Sequence, residues 1–403
     1  MHELLNQKAD QAKDKQAALG KNLNLDQYID QSTDHHYLDQ LSNVDKKDVT
    51  RFLDVGIDTQ SEAPATFIQK DHSVIHCHSH QKGIDIMKYS QALTDIKDID
   101  QYIWKGVAVD TDKYTARVGL NPHDGYFIRA QAGVKTEQPI QSCLYISTDR
   151  LSQNVHNLVI AEEGSDLKIV TGCSTAPHLN TGLHIGVSEF YVKKNATLSF
   201  TMIHDWGKHV DVRPRTTVFV EEGGVFVSNY ICLHPAGTLQ MYPTTILNGP
   251  GAVARLNSVI VSTEGSHIDM GGRVILNAPE SRAEIISRAI VSGGTIIARG
   301  SLIGKAPKIR AHLECKGLIL AEGLMHAIPE IEGYVPGVEM SHEAAVGKID
   351  PEEVEYLMAR GLDEETAVST IVRGFLNIDI QGLPETLQKR IDTLIQETEK
   401  DMF

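Results

Sequence analysis

The chain has 403 residues, 41 % of them apolar, enough to bury one large core or two to three ordinary domains and to argue against disorder. A formal net charge of -15 opposes a phosphate-binding surface, so nucleic acid is not an expected partner. The N-terminus has no apolar signal-peptide core and no apolar run reaches the roughly 18–20 residues of a membrane span, so a cytoplasmic protein without a membrane partner is expected.

The first ~60 residues are polar, and Leu and Ile recur at loose helical spacing in "LDQYIDQSTDHHYLDQL", which predicts short helices and an N-terminal helical region over 1–65. The segment "HCHSH" follows. In a strand, His76, His78 and His80 share one face and could take zinc, copper or nickel, but an edge strand with solvated imidazoles is the simpler reading. From Thr66 to about Ile331, short runs rich in Val, Ile, Thr and Phe alternate with turn residues. Gly223, Gly237, Gly251, Gly265, Pro279, Gly293 and Pro307 mark that stretch every 14 residues, and Asn195 lies 28 before Gly223. Such a beat predicts a chain that winds repeatedly over one track, two segments per coil, as a right-handed parallel β-helix rather than a sandwich. The core is expected over 66–341. Within it, "GSLIGK" (Gly300–Lys305) is one residue short of a phosphate loop and lacks the Ser or Thr after Lys305.

From Asp350 the period becomes helical. "DPEEVEYLMARG" has an Asp N-cap, Pro at the first position and Gly361 as a stop, and "DEETAVSTIVRG" repeats that grammar to Gly374. A third helix is predicted in "LPETLQKRIDTLIQETEKDMF", which gives a C-terminal helical region over 342–403. The five cysteines (77, 143, 173, 232 and 315) form no CxxC and no even set, so they read as free thiols.

Several of these stretches together resemble one family. "MSHEAAVGKIDPEEVEYLMARGLDEETAVSTIVRGFL" is similar to the C-terminal signature of the SufB/SufD iron–sulfur cluster assembly scaffolds. "IVTGCSTAP" resembles its Gly-Cys-x-Ala-Pro stretch with one extra Ser, "HDWGKHV" its Gln-Asn-Trp stretch, and "SHIDMGGRVIL" its His-x-Asp-x-Gly segment. The likeness runs from about Tyr102 to Leu376 and is SufB-like, because Cys173, Cys315 and the pair His342-Glu343 are kept. It departs at His204 and Asp205, where Gln and Asn are usual, and at Tyr145 and Ser147, where Arg and Asn are usual. The missing N-terminal extension resembles the compact archaeal version, a homodimer with no SufD partner.

That resemblance implies a β-helix flanked by helices, serving as a scaffold rather than an enzyme. It implies a transient 2Fe-2S or 4Fe-4S cluster held by Cys315 and Glu343, with His342 as a ligand or as a hydrogen-bond donor to one, and His326 and Glu332 as further candidates. Two chains, or one chain and a SufD-like paralogue, would complete the ligand set. Cys173 would accept sulfur from a cysteine desulfurase, or free sulfide would replace that step, and Trp206 with His204 would line the route. The tail would dock a SufC-type ABC ATPase, the only place where ATP enters, with Glu365 and Arg373 as exposed positions to test. Apo iron–sulfur proteins would receive the cluster. Two other classes stay open: a β-helix carbohydrate-active enzyme, and a SufD-like structural partner without its own cluster.

Overall fold

A computed structural model describes residues 2–60 and 62–376. Its frame is a parallel β-solenoid of about eight coils. One residue per coil takes a left-handed backbone at the same corner: Gly133, Gly164, Asn195, Gly223, Gly251, Glu280, Lys308 and Gly337. From Asn195 onward these are 28 or 29 residues apart, and the earlier ones 31 apart. The corners are bonded to one another along the stack. The amide of Gly223 donates to Pro250 O (3.0 Å), that of Gly251 to Pro279 O (3.1 Å), and that of Asn195 to Glu222 O (2.8 Å). The sequence period therefore has a physical origin, with one correction. Pro279 and Pro307 are not themselves the left-handed corners, since the pyrrolidine ring fixes a negative φ. The left-handed residue is the one after, as in Pro250-Gly251, Pro279-Glu280, Pro307-Lys308 and Pro336-Gly337.

Two sheets run the length of the solenoid. The first has ten strands in the order Ser73–Ser79, Ala65–Lys70, Ile140–Ile146, Asp166–Thr175, Thr197–Asp205, Val225–His234, Val253–Thr263, Arg282–Ser292, Arg310–Ile319 and Glu339–Gly347. All its pairs but the first are parallel and close to register. The second sheet faces it across the core and ends in His267–Leu276, Thr295–Gly304 and Leu324–Gly333. Parallel stacking of consecutive coils excludes the sandwich. The sequence "GSLIGK" lies in the strand Thr295–Gly304 and its end, so it is not a phosphate loop. The last strand carries the β-structure to Gly347, past the boundary at 341 expected from sequence, and it places His342 and Glu343 on the solenoid itself.

Helices cover the outside. Helix α1 (His2–Ala12) and helix α2 (Lys46–Asp54) are the N-terminal pair. The helices expected between Leu25 and Leu41 reduce to a 3-10 turn at Leu25–Gln27. The rest is held extended by its polar side chains, as where Ser32 Oγ meets His72 Nδ1 at 2.8 Å and His35 Nε2 meets Asp71 at 2.8 Å. Helices α3 (Tyr89–Asp95) and α4 (Lys113–Leu120) interrupt the strand-rich region, which the sequence reading had carried through without a break. Helix α4 starts on a capping box in which Thr115, rather than Glu or Gln, answers Asp112.

The tail opens with α5 (Pro351–Met358), capped by Asp350 onto the Glu352 amide. Helix α6 (Glu364–Leu376) runs through Gly374, which does not stop it. The tail does not stand apart from the solenoid. Val372 is buried, and it, Val368 and Phe375 pack with Ile290, Leu318 and Leu320 on the outer face of the first sheet. The helix predicted over 383–403 lies outside the described residues. No helix among the described residues is long and apolar enough to cross a membrane.

Candidate functional site

The strand Arg310–Ile319 alternates from Arg310 to Lys316. Ala311, Leu313 and Cys315 are buried in the interior, and Arg310, His312, Glu314 and Lys316 face outward. The strand Glu339–Gly347 lies beside it in register, pairing Leu313 with His342, Glu314 with Glu343 and Cys315 with Ala344. Paired residues on parallel strands point the same way. Cys315 and His342 therefore share the inner face, while Glu343 stands on the outer one. Cys315 is buried, yet only the small side chain of Ala344 lies between it and the open end of the coil. Burial pushes its thiol up to about 11, the neighbouring Glu314 charge adds to this, and Arg288 acts against it. At neutral pH it is a thiol, and metal binding must displace the proton.

On the outer face, ligand atoms of His312, Glu314 and Glu343 lie within 4.8 Å of one another. Lys316 Nζ sits 3.0 Å from Glu343 and 3.3 Å from Glu314, and Arg288 is ion-paired to Glu314. Partial burial pushes the Glu314 carboxyl up, but Arg288 and Lys316 outweigh it and hold the group below its ordinary value. Neither His312 nor Glu314 is among the candidates singled out from the sequence. The signal was available, because one coil of 29 residues carries position 314 onto 343.

His326 and Glu332 lie on the strand Leu324–Gly333 of the second sheet. Met325 is core, which turns His326 outward, in register with Ile297. Glu332 is exposed and accepts a hydrogen bond from Tyr334 Oη at 2.6 Å. Within one chain these two are not brought to Cys315. The strands Leu324–Gly333 and Glu339–Gly347 are mostly exposed and end the two sheets. Leu324, Ile331, Tyr334 and Val346 are large apolar residues open to solvent there.

A second polar cluster lies deeper in the interior. Cys173 and Cys232 each pair with His204 from opposite sides, so the three form one row across adjacent coils. Cys173, Cys232, Tyr230 and Trp206 belong to the same buried core as Cys315. His204 Nδ1 is 2.9 Å from Tyr230 Oη, and the indole of Trp206 lies between the His204 and His184 rings at 5.5 and 5.0 Å. Burial, then the neighbouring His184 imidazole, holds the His204 imidazole well below its ordinary value, and burial alone pushes the Cys173 thiol well up. His204 Nε2 and Trp206 Nε1 are buried without a hydrogen-bond partner. From Tyr230 an in-register row of inward side chains, Tyr230, Ser258, Ser287 and Cys315, leads to the open end. Tyr230, Ser258 and Ser287 line an interior cavity of about 70 Å³. Tyr145 and Ser147 stand off this route. Tyr145 Oη donates to Asp48 on the outside (2.8 Å), and Ser147 bonds Asp71.

The Gly before Cys173 has a separate cause: a Cβ at Gly172 would meet Val55 Cγ2 at 2.5 Å and Val55 O at 2.7 Å, where α2 ends on the sheet. The histidines at 76, 78 and 80 do not converge. His76 is buried with Nδ1 2.8 Å from Leu38 O, while the rings of His78 and His80 touch in solvent at 4.4 Å on an edge strand.

Residues 144–375 match the family described as "SUF system FeS cluster assembly, SufBD core domain". An iron–sulfur cluster assembly SufBD family protein of Archaeoglobus fulgidus is 49 % identical over 358 residues, covering 88 % of this chain and 96 % of that one. A second, from Methanothermobacter thermautotrophicus, is 42 % identical with 98 % of both chains covered. One from Staphylococcus epidermidis is 29 % identical over 85 % of this chain and 73 % of its own. The parallel solenoid, the buried thiols at 173 and 315 and these matches agree: the chain belongs to the SufBD family of iron–sulfur cluster assembly proteins.

Proposed function

We propose that this chain is a cytoplasmic scaffold on which an iron–sulfur cluster is built as cargo and then passed to apo acceptor proteins. The observation that carries the reading is the inward-facing row Tyr230, Ser258, Ser287 and Cys315, in which Ser258 is half-buried and the other three are buried. It is a polar track through an apolar core, running from Cys173 and His204 to a thiol one strand from an open end. Three strand spacings separate Tyr230 from Cys315, roughly 14 Å. The two serines carry no sulfur themselves. Their hydroxyls solvate a small sulfur species that a purely apolar core would exclude. Sulfur reaches Cys173 from a desulfurase, or enters as free sulfide.

Cys315 is the soft ligand in this reading. His342 shares its face, one strand over and two positions along, and Glu343 supplies an oxygen donor from the other face. One chain thus offers too few ligands at one point for a closed site. A second copy related by two-fold symmetry doubles the set, and the exposed strands Leu324–Gly333 and Glu339–Gly347 are where it would dock, bringing His326 and Glu332 near. A SufD-like paralogue could take the place of that copy. Mixed soft and hard donors hold a cluster for transfer rather than for keeping. A SufC-type ATPase docks on the tail and supplies the ATP-driven step; this chain hydrolyses nothing. The test is anaerobic reconstitution with ferrous iron and sulfide. Cluster absorbance in the visible, with iron and sulfide in equal amounts on a dimer, supports the reading. A chain that stays colourless and monomeric with and without the ATPase overturns it.

A further inference from the structure

The strands Arg310–Ile319 and Glu339–Gly347 turn a second donor set to the face away from Cys315. Glu314 and Glu343 are directly paired on adjacent parallel strands, a spacing of about 4.8 Å. Two carboxylates so placed repel each other unless a cation stands between them. Lys316 Nζ stands there, 3.3 Å from one and 3.0 Å from the other. His312 completes a triangle whose ligand atoms are within 4.8 Å of each other. Its Nδ1 lies 2.8 Å from Ser341 Oγ, which fixes the ring and leaves Nε2 as the free donor.

We propose that His312, Glu314 and Glu343 bind one divalent first-row metal ion, with Lys316 as the resident cation that the metal displaces. Ligands bound at about 2.1 Å around one ion lie up to about 4.2 Å apart, so a small turn of the half-exposed Glu343 side chain closes the set. One imidazole and two carboxylates suit a hard to borderline ion such as ferrous iron, manganese or zinc. Three protein donors leave the remaining positions to water, so the ion exchanges readily. Arg288 holds the other side of Glu314 and lies over the Phe375 ring of α6 at 5.9 Å, so Glu314 is tied to the tail through Arg288. The assembly reading enters only in making iron the ion of interest. The outer site shares Glu343 with the proposed cluster set but does not use Cys315.

The experiment is a titration of the metal-free full chain with manganese(II), reading the free-ion signal by electron paramagnetic resonance. Wild type binds one ion per chain saturably. Lys316→Gln binds it roughly fivefold tighter, the equivalent of losing one exposed competing ion pair. His312→Ala and Glu314→Gln each weaken it at least tenfold, and Cys315→Ser leaves it as in wild type. Should Glu314→Gln misfold by stranding Arg288, His312→Ala still decides, because His312 makes no ion pair among the described residues. A wild type without saturable binding, or a His312→Ala chain that binds as wild type does, reduces the triad to a salt-bridge network and overturns the site. Loss of binding in Cys315→Ser would move the ion to the inner face and overturn it as well. Retained manganese binding in a chain that never assembles a cluster would sink the scaffold reading and leave this one standing.

Discussion

On the proposed scaffold reading, replacing Cys315 with serine should separate folding from cluster binding. The side chain is fully buried with Leu313 and Ala311 as inner-face neighbours and with Ser287 directly beside it on the next strand. An unpaired buried hydroxyl costs about 1–3 kcal/mol. Ser287 Oγ offers the new hydroxyl a partner at one strand spacing, which brings the cost toward about 1 kcal/mol. Against a stability of roughly 5–15 kcal/mol the solenoid survives, and the melting temperature falls by less than about 4 °C. Function responds differently. The substitution removes the thiolate from each chain and leaves His342 and Glu343, nitrogen and oxygen donors that hold iron–sulfur clusters poorly. The assay pairs a thermal melt with iron and sulfide analysis after anaerobic reconstitution. We expect a near-native melt and a loss of most of the bound sulfide. Full iron and sulfide content in Cys315→Ser would refute the assignment, whatever the melt shows.

Cys173→Ser should slow assembly driven by a desulfurase but not assembly from free sulfide; equal rates from both sources would make Cys173 core filling. The tail prediction is that Glu365→Lys or Arg373→Glu, both at exposed positions of α6, weakens co-elution with a SufC-type ATPase while the chain stays folded. Undiminished co-elution of both variants counts against the dock; cutting the chain at 349 is a poorer test, since it strips α6 from Ile290 and Leu318. Asp71 predicts a pH dependence. Burial pushes its carboxyl up, but hydrogen bonds from Ser147 and Thr148 and from His35 outweigh that and hold it below its ordinary value. Its stabilisation is therefore complete above the unfolded pKa of about 3.9 and is lost as pH falls through the lower folded value. Asp71→Asn should cost roughly 2–4 kcal/mol at pH 7, and the gap to wild type should narrow in melts taken below pH 4. A gap that stays constant with pH would show that the charge is not what matters.

The solenoid was legible because its corners recur with the coil, and the corners are what steric rules write into sequence as Gly, Asn and Pro. Two parts of the period were hidden. Gly133 and Gly164 precede longer coils of 31 residues, and the helical insert from Tyr89 to Leu120 falls before the beat begins. The N-terminal stretch misled because Leu25, Ile29, Leu38 and Leu41 keep an approximate helical spacing although the polar residues between them bind the solenoid. Cys173 and Cys315 were visible through their motifs. Which of His342 and Glu343 faces inward was not, since the sequence ended the solenoid at 341 and it is the strand Glu339–Gly347 that turns one inward and one outward. The Glu314–Glu343 contact needed the coil length as well as the motif.

The division of donors between two faces bears on how an ATPase could release a cluster. A thiol inside the coil and a carboxylate outside it cannot meet across a flat pair of strands. They can meet where the last strand twists at its free edge, or where a partner chain brings its own copy of one to the other. Either geometry depends on the angle of the strand Glu339–Gly347, which only three residues, Lys348 to Asp350, connect to α5. Helix α6 grips the same sheet through Val372 and Phe375, and Phe375 lies against Arg288, which holds Glu314. A pull on the tail in the proposed complex would therefore act on that strand's twist and on the outer carboxylates together. In such an arrangement, a cluster bound by both faces would lose its hard ligands before its soft one, because the thiol is anchored in the packed interior and the carboxylates are not.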